Sequence, residues 1–78
     1  MANNKIFDIK QTIAVLSDKD NITKEFNVIQ YKDLLNVILD LRKWDNSNGD
    51  KKMLKGITLT DEEARKLKDA LNEYYSNA

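Results

Sequence analysis

The 78-residue sequence contains no cysteine, no histidine and no proline, and it has only two glycines. Without cysteine there is no disulfide framework, no thiolate metal site and no cysteine nucleophile. Without histidine, the usual general base and the commonest metal ligand are also missing. Because no glycine-rich phosphate loop is present either, we expect a protein that is not an enzyme and that holds no cofactor and no metal.

Long hydrophobic runs are absent as well. No run approaches the ~18 apolar residues of a membrane span. Residues 1–5 lack the apolar stretch of a secretory signal peptide. We therefore expect a cytoplasmic location and no membrane partner.

The charge shows no excess of either sign, since 13 basic residues balance 13 acidic ones. Hydrophobic residues make up 41% of the chain and charged residues 33%, which is typical of a folded protein rather than a disordered one. We expect one domain over residues 1–78. A chain this short buries only roughly 60% of its unfolded surface. Its thin core makes pairing of two copies an ordinary solution.

The end of the chain predicts an amphipathic helix over residues 61–75. Thr60 can cap the first turn, and Glu63 can return the bond in a capping box. The acidic residues of that turn also suit the helix dipole. One apolar stripe follows at helical spacing and consists of Ala64, Leu67, Leu71 and Tyr74.

Three other segments alternate polar and apolar residues as strands do. Residues 7–15 place Phe7, Ile9, Ile13 and Val15 on one side, which predicts a half-buried strand. Residues 23–31 predict a second strand with Phe26 and Val28 on one face, and residues 53–59 predict another strand. The polar cluster at residues 17–21 predicts the turn after the first strand.

Residues 31–44 fit two structures. Their helical stripe consists of Leu34, Val37, Ile38 and Leu41, but residues 37–42 also alternate as a strand does. Periodicity slightly favours a helix, because Leu, Lys and Arg are good helix formers. An exposed turn at residues 45–50 follows. Its glycine is at position five rather than position six, so it does not fit a calcium-binding EF-hand loop.

Cations surround the only tryptophan. Arg42 and Lys43 precede Trp44, and Lys51, Lys52 and Lys55 follow the turn. Single-stranded nucleic acid is bound by such a combination, because cations neutralise phosphates and an aromatic ring stacks on a base. On these residues alone we favour the ordinary alternative, in which Trp44 is part of the core and the lysines are solvated.

A resemblance to a known family rests on longer segments. Leu39–Trp44, a short polar turn and then Lys55–Ala64 resemble the positive cofactor four family of transcriptional coactivators, and most of all its small bacterial YdbC-type members. Ile13–Ser17 and Thr23–Asn27 also match patterns of that family. The resemblance spans roughly residues 6–72.

The resemblance implies an α+β fold in which four strongly curved antiparallel strands are followed by one C-terminal helix (ββββα), and two chains form a homodimer. On these grounds residues 37–44 are a strand. The resemblance also implies non-sequence-specific binding of single-stranded DNA, in transcription regulation or in replication and repair. RNA is not separated from DNA at this stage, and the transcription or replication machinery is a further candidate partner.

Position by position, the resemblance implies a set of nucleic-acid ligands: Lys24, Arg42, Trp44, Lys52 and Lys55. In this set the cations contact phosphates and Trp44 stacks on a base. Tyr31, which ends the second strand, is a further candidate for stacking. The thin core and the helical stripe predict that Leu67, Leu71 and Tyr74 lie in the dimer interface.

One alternative stays open, a protein-interaction adaptor that keeps the fold but does not bind nucleic acid. The neutral charge favours it. So does Ile22, which occupies a position where bacterial relatives tend to have an aromatic residue.

Overall fold

The computed structural model describes residues 6–33 and 35–76, which form one antiparallel sheet followed by one helix. The elements are β1 (Phe7–Lys19), β2 (Ile22–Tyr31), β3 (Ile38–Asp45), β4 (Lys52–Leu59) and α1 (Asp61–Ser76). The strands lie in the order β1-β2-β3-β4, and all neighbours are antiparallel. The ββββα topology expected from the resemblance is therefore confirmed. Leu34 and residues 1–5, which entered the sequence predictions, lie outside the described residues.

The first hairpin turns more tightly than the sequence predicted. Asp20 and Asn21 connect β1 to β2, and both have positive φ angles, 55° and 66°. A two-residue turn with two such residues matches the right-handed twist of the flanking strands, and Asn and Asp tolerate this conformation well. The prediction of a turn over residues 17–21 was therefore too long, because β1 continues through Lys19.

Residues 31–44 fitted both a helix and a strand, and the structure forms strand β3 there, from Ile38 to Asp45. β3 is a central strand that pairs with β2 along one edge and with β4 along the other. The backbone hydrogen bonds to these two strands join residues that are distant in sequence. They outweigh the helix propensity of the segment, which amounts to only a few tenths of a kcal/mol per residue.

Irregular pairing distinguishes β1 from the other strands. Its pairing with β2 shifts register at three points, between Ile9 and Gln11, between Thr12 and Ala14, and between Val15 and Ser17. Such bulges bend a strand and increase its twist. They also explain why the simple alternation predicted for residues 7–15 fails, since Ile13 and Val15 are exposed.

A contact between two aromatic rings shows that the sheet bends. Phe7 pairs with Tyr31 of β2, whereas Trp44 pairs with Thr23, eight residues away along the same strand. In a flat sheet this separation corresponds to roughly 26 Å. The ring centroids of Phe7 and Trp44 nevertheless lie 5.5 Å apart. The bend is shown, whereas the strong curvature implied by the resemblance is not.

The two faces of the sheet differ in chemistry. One face, here called the polar face, is the more buried and consists of Thr23, Glu25, Asn27, Asp40, Arg42 and Trp44. The other face, here called the apolar face, consists of Phe26, Val28, Leu39, Leu41 and Ile57. Only Ile29 and Trp44 are buried hydrophobic residues among those described. The core is therefore as thin as the chain length suggested.

The helix begins as the sequence predicted. The backbone N–H of Glu63 donates to Thr60 Oγ1 at 3.1 Å, and the backbone N–H of Thr60 donates to Glu63 Oε1 at 2.9 Å. These two bonds are the capping box. α1 contacts β3 and β4, but none of its residues is buried. No helix within residues 6–33 and 35–76 is long and apolar enough to cross a membrane.

Candidate nucleic-acid interface

Three lysines converge at one end of the apolar face. Lys24 of β2 and Lys43 of β3 are direct cross-strand partners, and Lys55 follows on β4. All three are exposed. With three further residues they line a groove of about 520 Å³, here called the lysine groove: Lys24, Leu41, Arg42, Lys43, Leu54 and Lys55.

The positive charge of the lysine groove is not balanced by any acidic residue among those that line it. No carboxylate lines it in the part of the chain that the structure describes. Like charges directly opposite each other on neighbouring strands are unfavourable. The Lys24–Lys43 pair therefore costs the folded protein some stability, and a bound anion relieves that repulsion. Lys43 was named only among the cations around Trp44 and not in the predicted ligand set with Lys24 and Lys55, because its position opposite Lys24 depends on the strand register.

Arg42 is also a lining residue of this groove, although the alternation of β3 places its side chain on the polar face, and its guanidinium is already engaged. Nε and Nη2 donate to the two carboxylate oxygens of Asp40 at 2.7 and 2.6 Å, and Nη1 donates to the carbonyl oxygen of Leu54 at 2.9 Å. The hydrogen bonds to Asp40 raise the pKa of Arg42 above its ordinary value. The side chain is 11% exposed. The structure therefore gives Arg42 a structural role between β3 and β4, and its contact with phosphate stays a prediction.

Trp44 is not available as a stacking surface. It is 0% exposed, because the alternation of β3 places it on the polar face, opposite to the side of Lys43. Phe7 packs against the ring, and Lys51 Nζ lies 5.6 Å from the ring centroid. A base needs an exposed ring face. The burial of Trp44 thus gives no support to the prediction that it stacks on a base, and it agrees with the alternative that Trp44 is part of the core.

A buried carboxylate anchors the surroundings of Trp44. Glu25 is 2% exposed, and its two oxygens accept hydrogen bonds from Thr23 Oγ1 at 2.6 Å, Lys51 Nζ at 2.5 Å and Asn27 Nδ2 at 3.2 Å. Burial by itself raises the pKa of Glu25. The hydrogen bonds from Lys51, Thr23 and Asn27 outweigh it, so the pKa lies below its ordinary value.

The turn between β3 and β4 is tied to this cluster. Lys51 Nζ also donates to Asn46 Oδ1 at 3.2 Å, and Asn46 Nδ2 donates to Thr23 Oγ1 at 3.1 Å. Lys51 therefore donates its hydrogen bonds to side chains around the polar face and does not line the lysine groove. Sequence reasoning missed the pairing of Glu25 with Lys51, since the two residues are 26 positions apart.

Two other predicted ligands lie apart from the lysine groove. Lys52 is exposed at the start of β4, where it pairs with Asp45. Tyr31 is half-buried at the far end of β2 and pairs with Phe7. The structure thus brings together Lys24, Arg42 and Lys55 from the predicted set, and it leaves Trp44, Lys52 and Tyr31 elsewhere.

A metal site finds no support in this arrangement. Within the described ranges, no group of three or more His, Cys, Asp or Glu side chains could hold a metal ion. The turn at residues 45–50 superficially resembles a calcium-binding loop. Its first carboxylate is engaged within the turn, since Asp45 Oδ1 accepts a hydrogen bond from the backbone N–H of Ser47 at 2.9 Å.

Comparison with protein families gives one finding. A family model described as Transcriptional Coactivator p15 (PC4) matches residues 19–70, which include β2, β3, β4 and most of α1. The chain belongs to this family. The resemblance to the family is therefore confirmed over these residues, whereas the likeness to its small bacterial members stays a prediction. No curated protein matches the chain, and no solved structure matches it.

Membership of the PC4 family also bears on function. The family binds single-stranded DNA, is related to transcription and is not enzymatic. This agrees with the expectation drawn from the absence of histidine and cysteine. The lysine groove lies within the region of the chain that matches the PC4 family, since each of its six residues falls between positions 19 and 70.

Proposed function

We propose that this PC4-family protein binds single-stranded nucleic acid without sequence preference, and that the lysine groove holds the strand. The observation that carries the proposal is the meeting of Lys24, Lys43 and Lys55 around one open groove. The pathway that the family supports is transcription. Replication and repair expose the same ligand, so the same site would serve them.

The mechanism is neutralisation of phosphates by ammonium groups. A lysine is a compact charge on a flexible stem, and its donors can follow a mobile backbone. Each phosphate neutralised in a single strand contributes roughly 0.7 to the slope of log K against log salt concentration. Three lysines per chain therefore give a slope of about −2.

Replacing Lys24 or Lys55 with alanine is expected to weaken binding of a thymidine oligomer about fivefold at 0.1 M salt, because one released counterion is lost. The salt slope should become shallower by about 0.7 for each replacement. Fluorescence anisotropy of an end-labelled oligomer, titrated at several salt concentrations, measures both quantities. A blunt duplex is titrated in parallel and should bind more weakly.

The matched control is Lys68→Ala, which removes the same charge from an exposed position of α1, away from the groove. It should leave both affinity and salt slope unchanged. The proposal is wrong if all three variants behave alike, or if the unaltered protein fails to bind the oligomer at micromolar concentration. The latter outcome favours the alternative of an interaction adaptor.

We further propose that the protein is a homodimer. The apolar stripe of α1 lacks cover within the described chain, with Leu67, Leu71 and Tyr74 exposed by 40%, 48% and 68%. Ile57, on the apolar face of the sheet, is 56% exposed. Apolar residues grouped in this way are typical of an interface. A second copy would cover them and thicken the core.

Sedimentation velocity tests this second proposal. A homodimer has about twice the 9.1 kDa mass of the chain at micromolar concentration. Leu71→Glu should shift the population to monomer, because it buries a charge at the interface. Asn72→Glu introduces the same charge at the next position and should leave the dimer intact. A wild-type protein that sediments as a monomer would refute the proposal.

A further inference from the structure

We infer that Asp40, which does not line the lysine groove, is a positioning residue for nucleic-acid binding, because it acts through Arg42 to hold a bulge in β4 that turns Lys55 into the groove. This inference rests on the proposed function. It concerns how the groove is built, and it gives a role in binding to a buried carboxylate on the polar face of the sheet.

The register of β4 against β3 shifts once, between Arg42 and Trp44. On one side of the shift Arg42 pairs with Gly56. On the other side Trp44 pairs with Met53. A single residue of β3 therefore faces two residues of β4, at positions 54 and 55, and this is the pattern of a β-bulge.

The bulge decides which face of the sheet Lys55 joins. Neighbouring residues of a regular strand point to opposite faces. Leu54 and Lys55 are neighbours, yet both line the lysine groove. If β4 continued from Met53 without a bulge, Lys55 would lie opposite Arg42 and on the polar face. The groove would then lose one of its three lysines.

A hydrogen bond from the polar face holds the bulge. Bulges disrupt the ladder locally, so their backbone groups need other partners. Nη1 of Arg42 donates to the carbonyl oxygen of Leu54, the first residue of the bulge, at 2.9 Å. Gly56 follows the bulge, and its missing side chain allows β4 to approach Arg42 closely, since a Cβ atom there would fall onto Cβ of Arg42. Arg42 thus joins β3 to the bulged part of β4.

Asp40 fixes the direction of the Arg42 guanidinium. Its two carboxylate oxygens accept hydrogen bonds from Nε and Nη2 of Arg42 at 2.7 and 2.6 Å, and Nη1 is the nitrogen that reaches Leu54. Such a bidentate pair sets the plane of the guanidinium as well as its position. Asp40 is 0% exposed and belongs to the polar face, so its route to the groove runs through Arg42 and the bulge.

The expected sign of the effect separates positioning from simple electrostatics. A carboxylate near a phosphate site weakens binding through its charge, so its removal strengthens binding if charge alone acts. Asp40→Asn keeps the shape of the side chain but leaves one acceptor oxygen in place of two, so it loosens the hold on Arg42. We expect Asp40→Asn to bind oligothymidine about fivefold more weakly at 0.1 M salt, which is the loss expected for Lys55→Ala.

The experiment is a double-variant cycle on binding. Fluorescence anisotropy of end-labelled oligothymidine is measured for the unaltered protein, Asp40→Asn, Lys55→Ala and the variant with both changes. If Asp40 acts by placing Lys55, the combined variant binds about as weakly as either single variant. Lys24→Ala should still cost its own factor of about five in the Asp40→Asn background, because Lys24 belongs to β2. Asp69→Asn, which removes the same charge from an exposed position of α1, is the control and should leave binding unchanged.

Urea unfolding followed by far-UV circular dichroism establishes first that Asp40→Asn is folded. If it is not, Asp40→Leu combined with Arg42→Met takes its place in the cycle, since it removes both charges and restores apolar volume. This pair of changes also removes the donor to the Leu54 carbonyl oxygen. The same loss of binding, again not deepened by Lys55→Ala, is therefore expected.

The outcomes separate the inference from the proposed function. The inference is overturned if Asp40→Asn binds as tightly as the unaltered protein or more tightly, or if Lys55→Ala still costs its full factor in that background. Both results leave single-strand binding intact. Failure of the unaltered protein to bind oligothymidine, or an unchanged affinity in Lys55→Ala, overturns the proposed role of the groove and the inference with it. Weaker binding in Asp40→Asn that Lys55→Ala does not deepen supports both.

Discussion

Replacing Gly56 with alanine is expected to destabilise the protein by about 3 kcal/mol or more. Gly56 lies directly opposite Arg42 where β4 pairs with β3. A Cβ atom at this position would fall onto Cβ of Arg42 and would lie 2.6 Å from the carbonyl oxygen of Leu41. Because backbone atoms form the obstacle, β3 and β4 would have to separate.

Urea unfolding followed by far-UV circular dichroism measures this effect. The whole stability of a small domain is about 5 kcal/mol or a little more, so the variant is expected to keep only about 2 kcal/mol and to unfold at a much lower urea concentration. Gly49→Ala is the matched control. Gly49 has a φ of 85° but no neighbour within 4 Å of a Cβ, so only about 1–2 kcal/mol of backbone strain is expected. Equal unfolding midpoints for Gly56→Ala and the unaltered protein would contradict the close approach.

Replacing Asp40 with alanine is expected to cost about 3–5 kcal/mol. Asp40 is 0% exposed, and it accepts two hydrogen bonds from the guanidinium of Arg42. Without the carboxylate, the charge of Arg42 stays in a largely buried position without its partner. The loss is therefore larger than the net contribution of the ion pair.

A double variant distinguishes this explanation from simple loss of packing. Asp40→Leu combined with Arg42→Met removes both charges and restores apolar volume, so most of the stability should return. The free energies of unfolding of the unaltered protein, Asp40→Leu, Arg42→Met and the double variant form a thermodynamic cycle. If the double variant loses the sum of the single losses, the two residues are not coupled and the assignment fails.

The sequence was most informative where structure depends on neighbours along the chain. The capping box that begins α1 involves only Thr60 and the three residues after it, and it formed as predicted. The alternation of β2 placed Phe26 and Val28 on one face, as the structure has them. Residues 38–45 could not be assigned from their own periodicity, because two neighbouring strands decide their conformation.

The candidate site was harder to predict because register and bulges decide it. Lys43 acquires its role only by lying opposite Lys24, and no pattern within β3 reveals that partner. The burial of Trp44 depends on the bend that brings Phe7 across the polar face. A sequence shows that Trp44 has cations on both sides. It does not show that Lys43 and Lys51 belong to opposite faces of the sheet.

The irregular pairing of β1 has a consequence for how copies of the protein meet at high concentration. β1 is an edge strand of 13 residues, and Ile13, Val15 and Leu16 are exposed along it. A regular edge of this length would be a template for fibrous aggregation, because its unpaired backbone groups repeat evenly. The three register shifts break that repeat and turn successive stretches of the edge in different directions. The bulges that bend the sheet are therefore also expected to hinder the edge-to-edge pairing of chains into fibrils.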